Sequence, residues 1–169
     1  MSVTHHVDKL RILARLAQPN LNPRDGYFLL FPKYGKEARA ESLFELLNSS
    51  RAVIPFLLKE DQSVLLLTRL NIDWVAVSNA ARDLLLFPPN HVGGRQQAVE
   101  LRFVDESRVE AVVMWRPRTD GERLSDLLNR PELFVATQTS FGALIVNKNR
   151  IREMRVRDRA ESQPLDRTG

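Results

Sequence analysis

The residues best suited to chemistry lie near the end of the chain, where Lys148, Arg150, Arg152, Arg155 and Arg157 recur within ten positions. From Asn147 to Arg159 six basic residues stand against two acidic ones, Glu153 and Asp158. The chain as a whole holds 25 Lys and Arg against 21 Asp and Glu, a net charge of +4, so the placement of charge says more than its total. A cluster of this kind attracts phosphates or an acidic protein, and the plain alternative is a solvated surface. Aromatic side chains do not interleave with these cations, so the segment offers electrostatics without a device for stacking bases.

Covalent and metal chemistry find little to work with. The chain contains no cysteine, which removes disulfides, thiolate nucleophiles and thiolate metal sites together. Its three histidines, His5, His6 and His91, lack the spacing of a metal or acid–base site. Ser125 and Asp126 are adjacent, and neighbours on a helix do not face each other. Gly93 and Gly94 precede Arg95 and Gln96, without the lysine and Ser/Thr of a phosphate-binding loop. A nucleophile needs a positioned base and an oxyanion or metal partner. The chain is therefore read as non-enzymatic, with no cofactor and no metal.

The elements that must position the basic cluster come from a repeat. The octet ESLFELLN, Glu41 to Asn48, returns as ERLSDLLN, Glu122 to Asn129. Leu43, Leu46 and Leu47 match Leu124, Leu127 and Leu128, the i, i+3, i+4 stripe of a short amphipathic helix with its leucines buried. Ser42 with Glu45, and Thr119 with Glu122, offer the Ser/Thr-x-x-Glu arrangement of a helix start. Asn48 and Asn129 are expected to end the helices in the left-handed conformation that asparagine tolerates. Beyond the octets, AVIPF from Ala52 parallels LFVAT from Leu133, and SVLLLTRLNIDWVAV from Ser63 parallels GALIVNKNRIREMRV from Gly142. Leu65, Leu66, Leu67, Ile72, Val75 and Val77 thereby align with Leu144, Ile145, Val146, Ile151, Met154 and Val156. Each half reads helix, strand, turn, strand, short connection, strand.

Strand material also precedes each helix: GYFLLFP from Gly26, and AVELRFV from Ala98 with RVEAVVMWRP from Arg108. Pro32 and Pro117 stop these ladders, because proline has no N–H to donate. Trp74 and Trp115 are read as packing residues. Val7, Leu10, Leu13 and Leu16 predict a helix before Pro19. FPPNHVGGRQQ, 87–97, has the composition of an exposed connection. The expected organisation is an N-terminal helix (1–20), a first repeat (21–86), a linker (87–97), a second repeat (98–157) and a disordered tail (158–169). The longest apolar runs fall short of the roughly 20 residues of a membrane-spanning helix. The N-terminus lacks the apolar centre of a secretory signal. Membrane insertion is not expected, and the cytoplasm is the expected location.

Five short strands and one helix per unit predict an α+β chain of two tandem small barrel-like units. ALIVNKNRIREMRV resembles the closing strands of Sm-like and SH3-like barrels, although Sm-like chains begin with their helix and here it falls between the second and third strands. The second half also resembles an uncharacterised bacterial domain with an R-L-S-D-x-L-N helix and a V-N-K-x-x-I turn. Arg123, Leu124, Ser125, Asp126, Leu128 and Asn129, then Val146, Asn147, Lys148 and Ile151, carry that resemblance, and the first half is a drifted copy. The resemblance implies a fold and no established activity. A cyclic-dinucleotide receptor of the PilZ type is similar only in fragments: Arg11 and Arg15 have the arm spacing and Asp105 to Ser107 supply D-x-S, but Glu110 replaces the glycine.

These features together predict a non-catalytic interaction or scaffold protein of a bacterial cell that binds another protein through its duplicated units, with homo-oligomerisation possible. The alternative is RNA binding by the basic last strand, with Lys148, Arg150, Arg152, Arg155 and Arg157 as the contacts in either case.

Overall fold

The computed structural model describes residues 10–33, 39–78, 86–88 and 94–157. The three histidines and the tail from Asp158 lie outside them, as do residues 89–93 of the expected linker. The first half contributes β1 (Leu10–Ala17), β2 (Arg24–Leu30), β3 (Pro32–Lys33), β4 (Arg39–Ala40), α1 (Leu43–Leu47), β5 (Val53–Leu58), β6 (Val64–Thr68) and β7 (Trp74–Ser78). The second contributes β8 (Arg95–Phe103), β9 (Arg108–Trp115), α2 (Leu124–Leu128), β10 (Phe134–Thr139), β11 (Gly142–Asn147) and β12 (Ile151–Val156). β8 thus begins at Arg95, inside the stretch whose composition suggested a connection.

Two expectations are overturned. No helix covers Leu10–Ala17; that segment is β1, paired with β2 from Leu10 to Leu16. The three-residue spacing of Leu10, Leu13 and Leu16 misled, because Ile12, Ala14 and Leu16 form a competing period-2 set. That set is the buried one, and Leu10 and Leu13 point to solvent. Nor are there two tandem barrels. The strands form one ten-stranded antiparallel sheet in the order β12-β8-β9-β10-β11-β7-β1-β2-β5-β6, with β3 and β4 as a separate two-stranded ribbon. The chain is mostly β, and α1 and α2 are five residues each.

The repeat survives as strand order. In the first half the run is β7-β1-β2-β5-β6, and in the second β12-β8-β9-β10-β11, so each half places its last strand beside its first. What the pattern of residues did not reveal is the seam. β11 pairs with β7 over five residue positions, from Gly142 opposite Ser78 to Val146 opposite Trp74. Because side chains alternate across a strand, this pairing feeds both sides of the sheet. Ala143 and Ile145 enter the first-half core with Phe28, Phe56, Val75 and Val77, and Phe134 joins them. Trp74 and Ala76 pack against the second-half core around Leu101, Val113, Trp115 and Val146. Each half thus completes its neighbour's core, and a division into two separate folding units would expose Ile145 and Val75 together.

Gly142 shows how tight the seam is. Its φ of 144° lies in the region that side chains disfavour, and an added Cβ would meet the Val77 carbonyl oxygen across the ladder.

Candidate interaction edges of the sheet

The leucine octets become helices for the expected reason in the first copy and only partly in the second. Ser42 caps α1: the Glu45 N–H donates to Ser42 Oγ at 3.3 Å, and the Ser42 N–H donates to Glu45 Oε2 at 2.9 Å. Arg39 donates to both Glu45 oxygens at 2.7 and 2.6 Å, and Lys33 Nζ to one at 2.7 Å. Partial burial pulls the Glu45 pKa up, but the hydrogen bonds from Arg39, Lys33 and Ser42 outweigh it and hold the carboxylate well below its ordinary range. At α2 the expected Thr119–Glu122 cap is absent. The helix starts at Arg123, whose N–H donates to Asp126 Oδ2 at 2.8 Å. Glu122 instead accepts two hydrogen bonds from Arg130, at 2.7 and 2.6 Å, and one from the Arg118 N–H at 2.5 Å. Arg130 is the main reason that its pKa lies below the usual value.

Leu43, Leu46 and Leu47 are fully buried, whereas in the second copy Leu127 is buried but for a small remainder, with Leu124 and Leu128 half-buried. Asn48 and Asn129 do not take the left-handed conformation; their φ values are −95° and −86°. Asn48 has a different task. Its Nδ2 donates to the Phe134 carbonyl at 3.2 Å and its Oδ1 accepts the Phe134 N–H at 2.9 Å, clasping the end of α1 to the start of β10. Asn147 adds a second bond across the seam, donating to the Ile72 carbonyl at 2.9 Å.

The five expected contact residues lie together at one end of the sheet. Lys148 and Arg150 occupy the 3-10 turn between β11 and β12, Arg152 and Arg155 lie on β12, and Arg157 follows it. Each is engaged within the chain. Lys148 Nζ donates to the Leu128 carbonyl at 3.1 Å and to that of Arg130, and burial pulls its pKa below the ordinary lysine value. Arg150 pairs with Asp73 at 2.8 Å, across the seam. Burial raises the Asp73 pKa, and the Arg150 charge opposes it. Arg152 pairs with Glu106, Arg155 with Glu153 at 3.4 Å, and Arg157 with Glu100 at 2.7 Å. Three carboxylates from outside the segment, Asp73 before β7, Glu106 in the β8–β9 turn and Glu100 of β8, thus face Arg150, Arg152 and Arg157, and Glu153, already counted in the +4, faces Arg155.

The sheet ends at β12 on one side and β6 on the other, each bonded to a single neighbour. β12 carries alternating charges of the kind that blunt an edge. β6 carries none: Val64 and Leu66 lie exposed on a strand, Val64–Thr68, with no ionisable residue. The sequence reading gave Leu66 only a place in an apolar strand run and assigned Val64 no role. The signal was its lack of alternation, since a strand apolar on both sides needs a cover on both. Beside β12 a groove runs between the end of α2 and the sheet edge, lined by Leu128, Leu133, Ile151 and Met154 together with charged side chains, Arg152 and Glu153 among them. Among the described residues no three His, Asp or Glu side chains come together as a metal site, and no helix is long and apolar enough to cross a membrane. Trp115 is buried in the second core and Trp74 packs against it at the seam, so neither is an exposed stacking surface. Compared with protein-family models, with curated proteins and with solved structures, the chain matches none of them.

Proposed function

We propose that the protein is a non-catalytic interaction module of the bacterial cytoplasm that binds protein through the open edges of its sheet, with β6 as the apolar contact and β12, with Arg152 and Arg155, as the polar one. The observation that carries this reading is the exposure of Val64 and Leu66 on an uncharged edge strand. An exposed edge offers unpaired N–H and C=O groups to an incoming strand, and apolar side chains beside them supply the affinity. The internal ion pairs of Arg150, Arg152, Arg155 and Arg157, and the backbone carbonyls that Lys148 donates to, count against phosphate binding, because contact with a nucleic acid would have to compete with acceptors already in place.

The test is affinity capture with nuclease-treated wild type, Leu66→Glu and the double variant Arg152→Glu/Arg155→Glu, alongside titration with labelled RNA and DNA from low to physiological salt. Protein capture that is lost in Leu66→Glu supports the reading. Nucleic-acid binding that persists at physiological salt and is lost in the arginine variant overturns it.

A further inference from the structure

The surfaces joined at the centre of the chain recur, unjoined, at its two ends. At the seam β11 lies on β7, with Ile145 opposite Val75 and Ala143 opposite Val77. The first-half equivalent of β11 is β6, one free end of the sheet; the second-half equivalent of β7 is β12, the other. Ile145 is 0% exposed and its equivalent Leu66 is 72% exposed. Val77 is 2% exposed and its equivalent Val156 52%. Phe134, at the start of β10, is 1% exposed, whereas Val53, at the start of β5, is 45%.

The helices repeat the contrast. Asn48 clasps Phe134, but Asn129 is exposed and its side chain makes no hydrogen bond among the described residues. α1 is covered by β10 and buries Leu43 and Leu47, whereas Leu124 and Leu128 of α2 remain half-buried. The groove beside β12 occupies the place that the second half fills beside α1 and β7. The seam therefore has counterparts at the two ends of the sheet, and among them Val53, Val64, Leu66 and Val156 lack their cover.

We propose that the occupant of the β12 edge is a second copy of this chain, whose β6 pairs antiparallel with β12 in the register of the seam. This rests on the interaction reading above and names the partner. The register sets Leu66 opposite Met154 and Val64 opposite Val156, and brings Asn129 to the backbone of the second copy's Val53. It also sets Arg157, paired with Glu100 at 2.7 Å within its own copy, opposite Ser63, beside the turn that holds Lys59, Glu60 and Asp61. Glu153 and Arg155 stand where the seam has Trp74 and Ala76, which makes the contact between copies more polar than the seam and its assembly reversible. The contact is head-to-tail, with different surfaces on the two copies, so it propagates until it closes as a ring or continues as a filament.

Sedimentation velocity across a concentration series tests this with wild type, Leu66→Glu, Val156→Glu and an equimolar mixture of the two variants. Wild type is expected to associate reversibly. Each variant alone is expected to be monomeric, its dissociation constant raised at least about 100-fold by a charge placed against an apolar partner. The mixture is expected to form a heterodimer and stop, since each variant keeps the edge that the other lacks. Wild type that stays monomeric throughout overturns the inference, as does a mixture without heterodimer. Val156→Glu that dimerises alone while Leu66→Glu does not also overturns it, because that pattern means β6 pairing with β6. Unchanged circular dichroism establishes that the variants fold, and Leu66→Lys with Val156→Lys replaces a pair that does not. Monomeric wild type that still captures another protein through Leu66 overturns only the identity of the partner; monomeric wild type with no Leu66-dependent partner overturns the interaction reading too.

Discussion

Asn48 and Asn129 carry the same letter at the same place in the repeat, and the structure gives them opposite consequences. Replacing Asn48 with alanine removes two hydrogen bonds to the Phe134 backbone, at 3.2 and 2.9 Å. A net contribution of about 0.5–1.5 kcal/mol per bond gives about 1–3 kcal/mol. Phe134 is buried, so its freed N–H and C=O cannot turn to water, and the upper half of that range, about 2–3 kcal/mol, is expected. Asn129→Ala removes no side-chain bond among the described residues and should cost less than about 0.5 kcal/mol. Asn48→Asp keeps the acceptor for the Phe134 N–H but sets a carboxylate oxygen against the carbonyl, and should fall at or beyond the alanine value. The assay is urea unfolding of the three variants at a concentration where the chain is monomeric, with the slope held constant as the check that only stability has changed. Equal losses for Asn48→Ala and Asn129→Ala, or a loss below about 0.5 kcal/mol for Asn48→Ala, would refute the clasp.

Gly142→Ala should cost about 2–4 kcal/mol by denaturant unfolding, because the positive φ and the close Val77 carbonyl act together. Ser63→Ala, at the equivalent position in the first half, loses only an exposed hydrogen bond to Asp61 and should cost less than about 1 kcal/mol. Glu45 has a folded pKa depressed below its ordinary 4.5, so its contribution to stability is complete above that value and disappears as pH falls below it. Glu45→Gln should therefore be less stable than wild type at neutral pH and should lose less on acidification from pH about 4.5 downward, read from thermal unfolding at a series of pH values. Arg152→Glu/Arg155→Glu breaks pairs between exposed side chains and should shift stability by no more than about 1 kcal/mol per pair, checked by the same melts.

How much of this was legible depended on whether the deciding interaction was local. The two helices follow from leucine spacing within an octet, and the Ser42–Glu45 cap from a four-residue pattern. β1 was misread because Leu10, Leu13 and Leu16 offer a helical spacing as good as the strand spacing of Ile12, Ala14 and Leu16. Only the neighbouring β2 and β7 decide between them. The seam was invisible for the same reason: nothing within Gly142–Asn147 states that its second edge will pair with Trp74–Ser78. The basic cluster was easy to see and its ion pairs were not, since Glu100 and Glu106 lie far away in sequence and arrive beside Arg157 and Arg152 only through the β8–β12 pairing. The exposed pair Val64 and Leu66 resembles core in its residue types, and becomes conspicuous only when set against Ala143 and Ile145, its covered equivalents.

The most direct measurement places a photo-crosslinking side chain at position 66 in living cells, with the exposed position 21 between β1 and β2 as control, and identifies the adduct by mass spectrometry. The expected result is a protein adduct at 66 that is absent at 21, joined to a peptide spanning β12 of another copy. A nucleic-acid adduct, or no adduct at 66 above that at 21, would contradict a role for the β6 edge in protein binding.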